Sequence, residues 1–77
     1  MNTKETILEI LEDIKPGVEM EGRSDLATGG VLESFDILTL ISELNAEFDI
    51  MIPLEEVVPE NFDRVDAMAA LVDRLMN

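Results

Sequence analysis

Apolar side chains return every three or four positions in three separate blocks of this chain. That rhythm dictates helices and excludes strands, whose faces alternate every second residue. In the first block, from Thr3 to Lys15, Ile7, Ile10, Leu11 and Ile14 make one stripe, and Glu5, Glu9, Glu12 and Asp13 take the other faces. Asn2 followed by Glu5 has the spacing of a reciprocal N-terminal cap, and Pro16-Gly17 supplies the stop. The second block begins at Ser34 and runs through Ile37, Leu40, Ile41, Leu44 and Phe48 to an end near Asp49. The third turns Val65, Met68, Ala69, Val72 and Leu75 inward, with Asp63 placed to cap it. Ile50-Met51-Ile52-Pro53 reads as an extended link. Between Pro53 and Pro59 there is room for a turn or two of helix, started by Glu55 and Glu56 near its positive end. The expected fold is all-α, three main helices plus one short helix, with residues 1–77 forming a single domain and no internal repeat.

Charge and missing residue types narrow the chemistry. Eighteen acidic against five basic side chains leave a net charge of −13 over 77 residues. Such a body repels phosphate backbones and anionic lipid headgroups, so the expected partners are proteins with basic surfaces, with no nucleic acid and no direct membrane insertion. Mutual repulsion also favours a monomer. The chain has no cysteine and no histidine, which removes disulfides, thiolate metal sites, a catalytic thiol and the usual proton shuttle at neutral pH. A chain of this length buries roughly 60% of its unfolded surface, enough for a small core but not for a walled catalytic cleft. No secretory leader pattern opens the sequence and no stretch approaches the ~20 apolar residues of a membrane span, so a cytoplasmic protein is expected. The expectation is a protein without catalytic activity of its own.

Several tempting motifs fail. Gly29-Gly30 follows no strand and precedes no lysine, so it marks a tight turn, not a phosphate loop. The acidic runs lack the alternating oxygen ligands, central glycine and terminal glutamate of a calcium loop. Met20, Met51, Met68 and Met76 read as core or gap fillers. Residues 16–32 hold all four glycines and little periodicity, and a connection of that length in so small a chain calls for a functional reason. It leads directly to Ser34. At the start of a helix, a serine either accepts a bond from its own first turn as an N-cap or displays its hydroxyl where the dipole favours an attached phosphate. With no histidine nearby it is not an activated nucleophile.

The run Asp25-Leu26-Ala27-Thr28-Gly29-Gly30-Val31-Leu32-Glu33-Ser34-Phe35-Asp36-Ile37-Leu38 resembles the prosthetic-group site of the acyl carrier and peptidyl carrier superfamily. The resemblance continues through Leu44-Asn45-Ala46-Glu47-Phe48-Asp49-Ile50-Met51-Ile52-Pro53 and covers essentially the whole chain. It implies a four-helix acyl-carrier-like bundle with a 4′-phosphopantetheine arm on Ser34, added by a phosphopantetheinyl transferase. The arm's thiol would hold acyl or aminoacyl groups as thioesters. Gly-x-Leu-(Asp/Glu)-Ser, together with Pro59-Glu60-Asn61-Phe62-Asp63, is most similar to the small stand-alone D-alanyl carrier proteins, which are loaded by an ATP-dependent adenylating ligase. An acyltransferase is the alternative loading partner, with the choice among D-alanyl, other aminoacyl and fatty acyl cargo left open.

Two departures accompany the resemblance. Glu33 stands where the family usually has aspartate, which keeps the charge on a longer side chain. The face of the central helix away from the core carries Phe35, Leu38, Thr39, Ser42, Asn45 and Ala46, all uncharged, with Asp36, Glu43 and Glu47 on a separate edge. The expected partner-binding residues are Glu33, Phe35, Asp36, Leu38 and Ser42, with Asp36 helping to bind the transferase or its metal ion. Phe35 either anchors a partner or folds back under the long connection. The core residues Ile7, Leu11, Leu40, Leu44, Val65, Met68 and Val72 enclose an acyl chain only if the cargo is long. The competing reading is an unmodified acidic helical adaptor for a basic partner, with Ser34 as a cap; a calcium-binding acidic domain ranks third.

Overall fold

The computed structural model describes residues 2–77. Among them are four α-helices and no strand: α1 (Thr3–Ile14), α2 (Ser34–Phe48), α3 (Pro59–Phe62) and α4 (Val65–Met76), with a single 3₁₀ turn at Leu54–Glu56. The all-α expectation holds. α1 packs against both α4 and α2, α4 reaches across to α2, and α3 rests on α4.

The capping box anticipated at the start of α1 forms: the Glu5 N–H donates to Asn2 Oδ1 at 2.8 Å, and the Asn2 N–H donates to Glu5 Oε1 at 3.2 Å. The chain leaves α1 through Lys15 and then Gly17, whose φ of 81° is a left-handed conformation that glycine adopts without steric cost. Asp49 closes α2 in the same region at φ 53°, and Asn45 completes the exit. The Asn45 carbonyl accepts the Ile50 N–H at 3.1 Å, and Asn45 Oδ1 accepts the Ile52 N–H at 3.0 Å. Asn45 therefore organises the end of α2, and does not belong to a free outer face.

Among the described residues fourteen hydrophobic side chains are buried, including Ile7, Leu11, Leu40, Leu44, Val65, Met68 and Val72, the seven named above as core. Leu71 joins them, fully enclosed on α4. Ile37, Ile41 and Phe48 are partly buried and flank the core. The connection from α1 to α2 contributes as much as a helix does: Met20, Leu26 and Leu32 are all buried. Its backbone is tied down as well, with the Leu32 N–H donating to the Leu26 carbonyl at 2.7 Å and the Leu26 N–H to the Asp63 carbonyl at 2.9 Å. The glycine-rich stretch is thus a packed strap.

Three local expectations are corrected. Asp63 does not cap α4. Its backbone at φ −76°, ψ −21° still follows the helical path of α3, whereas an N-cap needs extended geometry, and Arg64 supplies that at φ −145°, ψ 150°. The short helix starts at Pro59, after Glu55 and Glu56, because proline preset at the first helical position begins it, leaving only the 3₁₀ turn between the prolines. Met51 and Met76 are not core fillers, at 82% and 54% exposed. The extended backbone after Asp49 alternates its faces, so burying Ile52 turns Met51 outward.

Candidate functional site

Ser34 is the first residue of α2, and the N-cap position belongs to Glu33, whose backbone is extended at φ −86°, ψ 171°. The cap reading of Ser34 therefore does not hold. Its side chain is exposed, and no hydrogen bond among the described residues engages its hydroxyl. The N–H groups of a first helical turn have no carbonyl four residues back to bond, so the hydroxyl stands at the positive pole of a 15-residue helix. The ground beneath it is firm, since Leu32, two residues earlier, is only 2% exposed.

The approach to Ser34 is shaped by one carboxylate and one turn. Asp63 Oδ1 accepts the N–H groups of Ala27 and Thr28 at 3.0 and 2.8 Å, and Asp63 Oδ2 accepts the Thr28 hydroxyl at 3.3 Å. The turn that follows closes with the Gly29 N–H on the Asp25 carbonyl at 2.6 Å. A Cβ on Gly29 would lie 2.6 Å from that same carbonyl oxygen, so only glycine fits.

Asp36 faces the helix start. Its Oδ2 accepts the Glu33 N–H at 3.0 Å and lies 3.1 Å from Lys15 Nζ, which also stands 3.9 Å from Glu33 Oε2. The Glu33 N–H first, and then the Lys15 ammonium, hold the Asp36 carboxyl below its ordinary range, while the hydrogen bond to Asp36 raises Lys15. The Asp36 carboxylate beside Ser34 thus has an internal counter-charge from the end of α1. In the sequence Lys15 marks only the end of the first periodic block. Its position at the end of α1, in a chain with just five basic residues, was the available signal.

The remaining anticipated residues separate. Phe35 is 77% exposed and Leu38 is 65% exposed, so Phe35 does not fold back under the connection. Glu33 and Ser42 are exposed, whereas Asp36 and Thr39 are half-buried; the Thr39 hydroxyl donates to the Phe35 carbonyl at 3.1 Å. Unanticipated exposed apolar side chains appear at Met51, Leu54 and Val58. A shallow apolar cleft of about 120 Å³ opens one turn beyond Ser34, lined by Ala27, Ile37, Val57, Val58, Pro59 and Phe62. Among the described residues no group of three or more acidic side chains is arranged to hold a metal ion, and no helix is long and apolar enough to cross a membrane.

No protein-family model matches the chain, and no solved structure does. Curated proteins match clearly. A D-alanyl carrier protein of Streptococcus suis is 35% identical over 100% of this chain and 99% of its own length. A D-alanyl carrier protein of Lactobacillus acidophilus is 29% identical over the same shares. Aminoacyl carrier protein 1 of Bradyrhizobium diazoefficiens is 35% identical over 82% of this chain and 69% of its own. With end-to-end similarity of this degree joined to a four-helix fold, the chain belongs to the carrier-protein family that includes the D-alanyl carrier proteins.

Proposed function

We propose that this protein is a non-catalytic carrier that bears a 4′-phosphopantetheine arm on Ser34 and presents aminoacyl groups to partner enzymes. The observation that carries the reading is the free, exposed Ser34 hydroxyl at the first position of α2, on a chain similar throughout to named carriers. When attached, the arm supplies a terminal thiol that holds the cargo as a thioester. The protein's own residues provide the mount. The helix start favours the phosphodiester charge, Lys15 offsets Asp36 and Glu33, and Asp63 together with buried Leu32 fixes the approach.

Partners read the surface around Ser34. A phosphopantetheinyl transferase attaches the arm, and an ATP-dependent adenylating ligase loads it. Phe35 and Leu38 serve as apolar contacts, with Ser42 and Glu33 at their margin and Asp36 shaping the helix start. A small cargo fits this architecture. The apolar cleft one turn beyond Ser34, at about 120 Å³, is of the size of a small group, which suits a small cargo. The names of the relatives point to D-alanine.

The experiment is a loading comparison. The arm-bearing protein is incubated with ATP and either a D-alanine adenylating ligase with D-alanine or a fatty-acyl ligase with its acid, and the thioester is released with hydroxylamine. Loading by the first and none on Ser34→Ala is expected. Preference for the fatty-acyl ligase overturns the cargo assignment, and loading that persists in Ser34→Ala overturns the site.

A further inference from the structure

We infer that Lys15 is a positioning residue for the modification site: from the end of α1 it holds the two carboxylates that flank Ser34, so that a phosphodiester can be added there without driving α1 and α2 apart. The inference rests on Ser34 as the attachment point. Lys15 is the C-cap residue of α1, and its ammonium crosses to the first turn of α2, 3.1 Å from Asp36 Oδ2 and 3.9 Å from Glu33 Oε2. The other ion pairs serve different junctions. Lys4 binds Glu21 and Asp66, Arg23 binds Asp25, and Arg74 binds Glu56. Lys15 alone among these cations meets residues adjacent to the attachment point.

The charge balance gives the link its consequence. With Glu33 and Asp36 ionised, a phosphodiester on Ser34 makes three negative charges within four consecutive residues, and Lys15 reduces the local sum to −2. Asp36 cannot turn away freely, because its carboxylate also accepts the Glu33 N–H at 3.0 Å. The dipole of α2 offsets part of the remaining charge but is fixed and partial. Removing the ammonium leaves the carboxylates in place and makes the arm costly to carry. A residue that only props two helices together would lower stability equally with and without the arm, whereas one that offsets the site's charge matters more once the phosphodiester is present.

The test is a melting cycle at low salt on the full chain, with and without the arm, for the wild type, Lys15→Met, Lys15→Arg and the double variant Lys15→Met/Asp36→Asn. Lys15→Gln takes the place of Lys15→Met should the latter not melt cooperatively. Attachment is expected to lower the melting temperature of Lys15→Met by ~2–4 °C more than that of the wild type. Lys15→Arg should match the wild type, the double variant should recover most of the difference, and ~1 M salt should erase it. Equal shifts in the wild type and Lys15→Met overturn the inference while leaving Ser34 as the attachment point. Absence of a mass increase in the wild type itself after treatment with coenzyme A and a transferase overturns the attachment reading, and the role of Lys15 falls with it.

Discussion

Replacing Asp63 by alanine removes the acceptor that holds the strap leading to Ser34. Asp63 Oδ1 takes the Ala27 N–H at 3.0 Å in a half-buried setting and the Thr28 N–H at 2.8 Å near the surface. Hydrogen bonds to a charged acceptor contribute about 1.5–3 kcal/mol each when protected. The Thr28 N–H can turn to water once its partner is gone, so its loss belongs at the low end or below. The Ala27 N–H has less access to water and bears most of the penalty. The combined cost is about 2 kcal/mol, equivalent to roughly 8–16 °C in melting temperature for a domain of this size. Asp63→Asn keeps one acceptor oxygen and should lose about half as much. Urea unfolding gives the stability change, and amide exchange shows where it acts, with protection at Ala27 and Leu26 falling before that of the α1 and α4 core. If Asp63→Ala unfolds within about 0.5 kcal/mol of the wild type, the strap is held by its buried side chains and backbone bonds without the Asp63 carboxylate, and the reasoning fails.

Other substitutions separate display from scaffold. Phe35→Ala should leave stability within about 0.5 kcal/mol, since the ring is 77% exposed, yet slow loading by the partner ligase about tenfold or more; unchanged loading removes it as a docking contact. Gly29→Ala places a Cβ 2.6 Å from the Asp25 carbonyl oxygen and should cost about 1–3 kcal/mol in urea unfolding, so a neutral outcome contradicts the turn described. Because Asp36 has a folded pKa below its unfolded value of about 3.9, its contribution is complete above that value and is lost as the pH falls through the lower folded one. Asp36→Asn should accordingly flatten the stability curve below about pH 4 and run parallel to the wild type above about pH 5, and identical acid limbs would contradict the pairing.

Periodicity made the helical core legible because burial repeats with the helix. Ile7, Leu11, Leu40, Leu44, Val65, Met68 and Val72 sit where spacing put them, all 3% exposed or less. The strap was opaque for the opposite reason. Met20, Leu26 and Leu32 are buried by irregular backbone, whose side-chain directions follow no fixed interval. Asp63 and Asn45 were misplaced because each bonds backbone at a distance that no local pattern encodes: Asp63 reaches Ala27, and Asn45 reaches Ile52 across the end of α2. At the site, the position of Ser34 was readable but not its role within the helix start, because a cap and the residue following it differ by a single step of backbone geometry. That step falls at Glu33. The Lys15 bridge joins α1 to α2 and depends on how the two helices pack.

The central claim is that the exposed hydroxyl at the start of α2 carries a cofactor arm, and intact-mass spectrometry tests it most directly. After incubation with coenzyme A and a broad-specificity phosphopantetheinyl transferase, the wild-type chain should gain the mass of one arm, fragment ions should place it on Ser34, and Ser34→Ala should gain nothing. An unchanged wild-type mass would contradict the account and favour an unmodified acidic adaptor, and an equal gain in Ser34→Ala would contradict it by placing the arm on another residue.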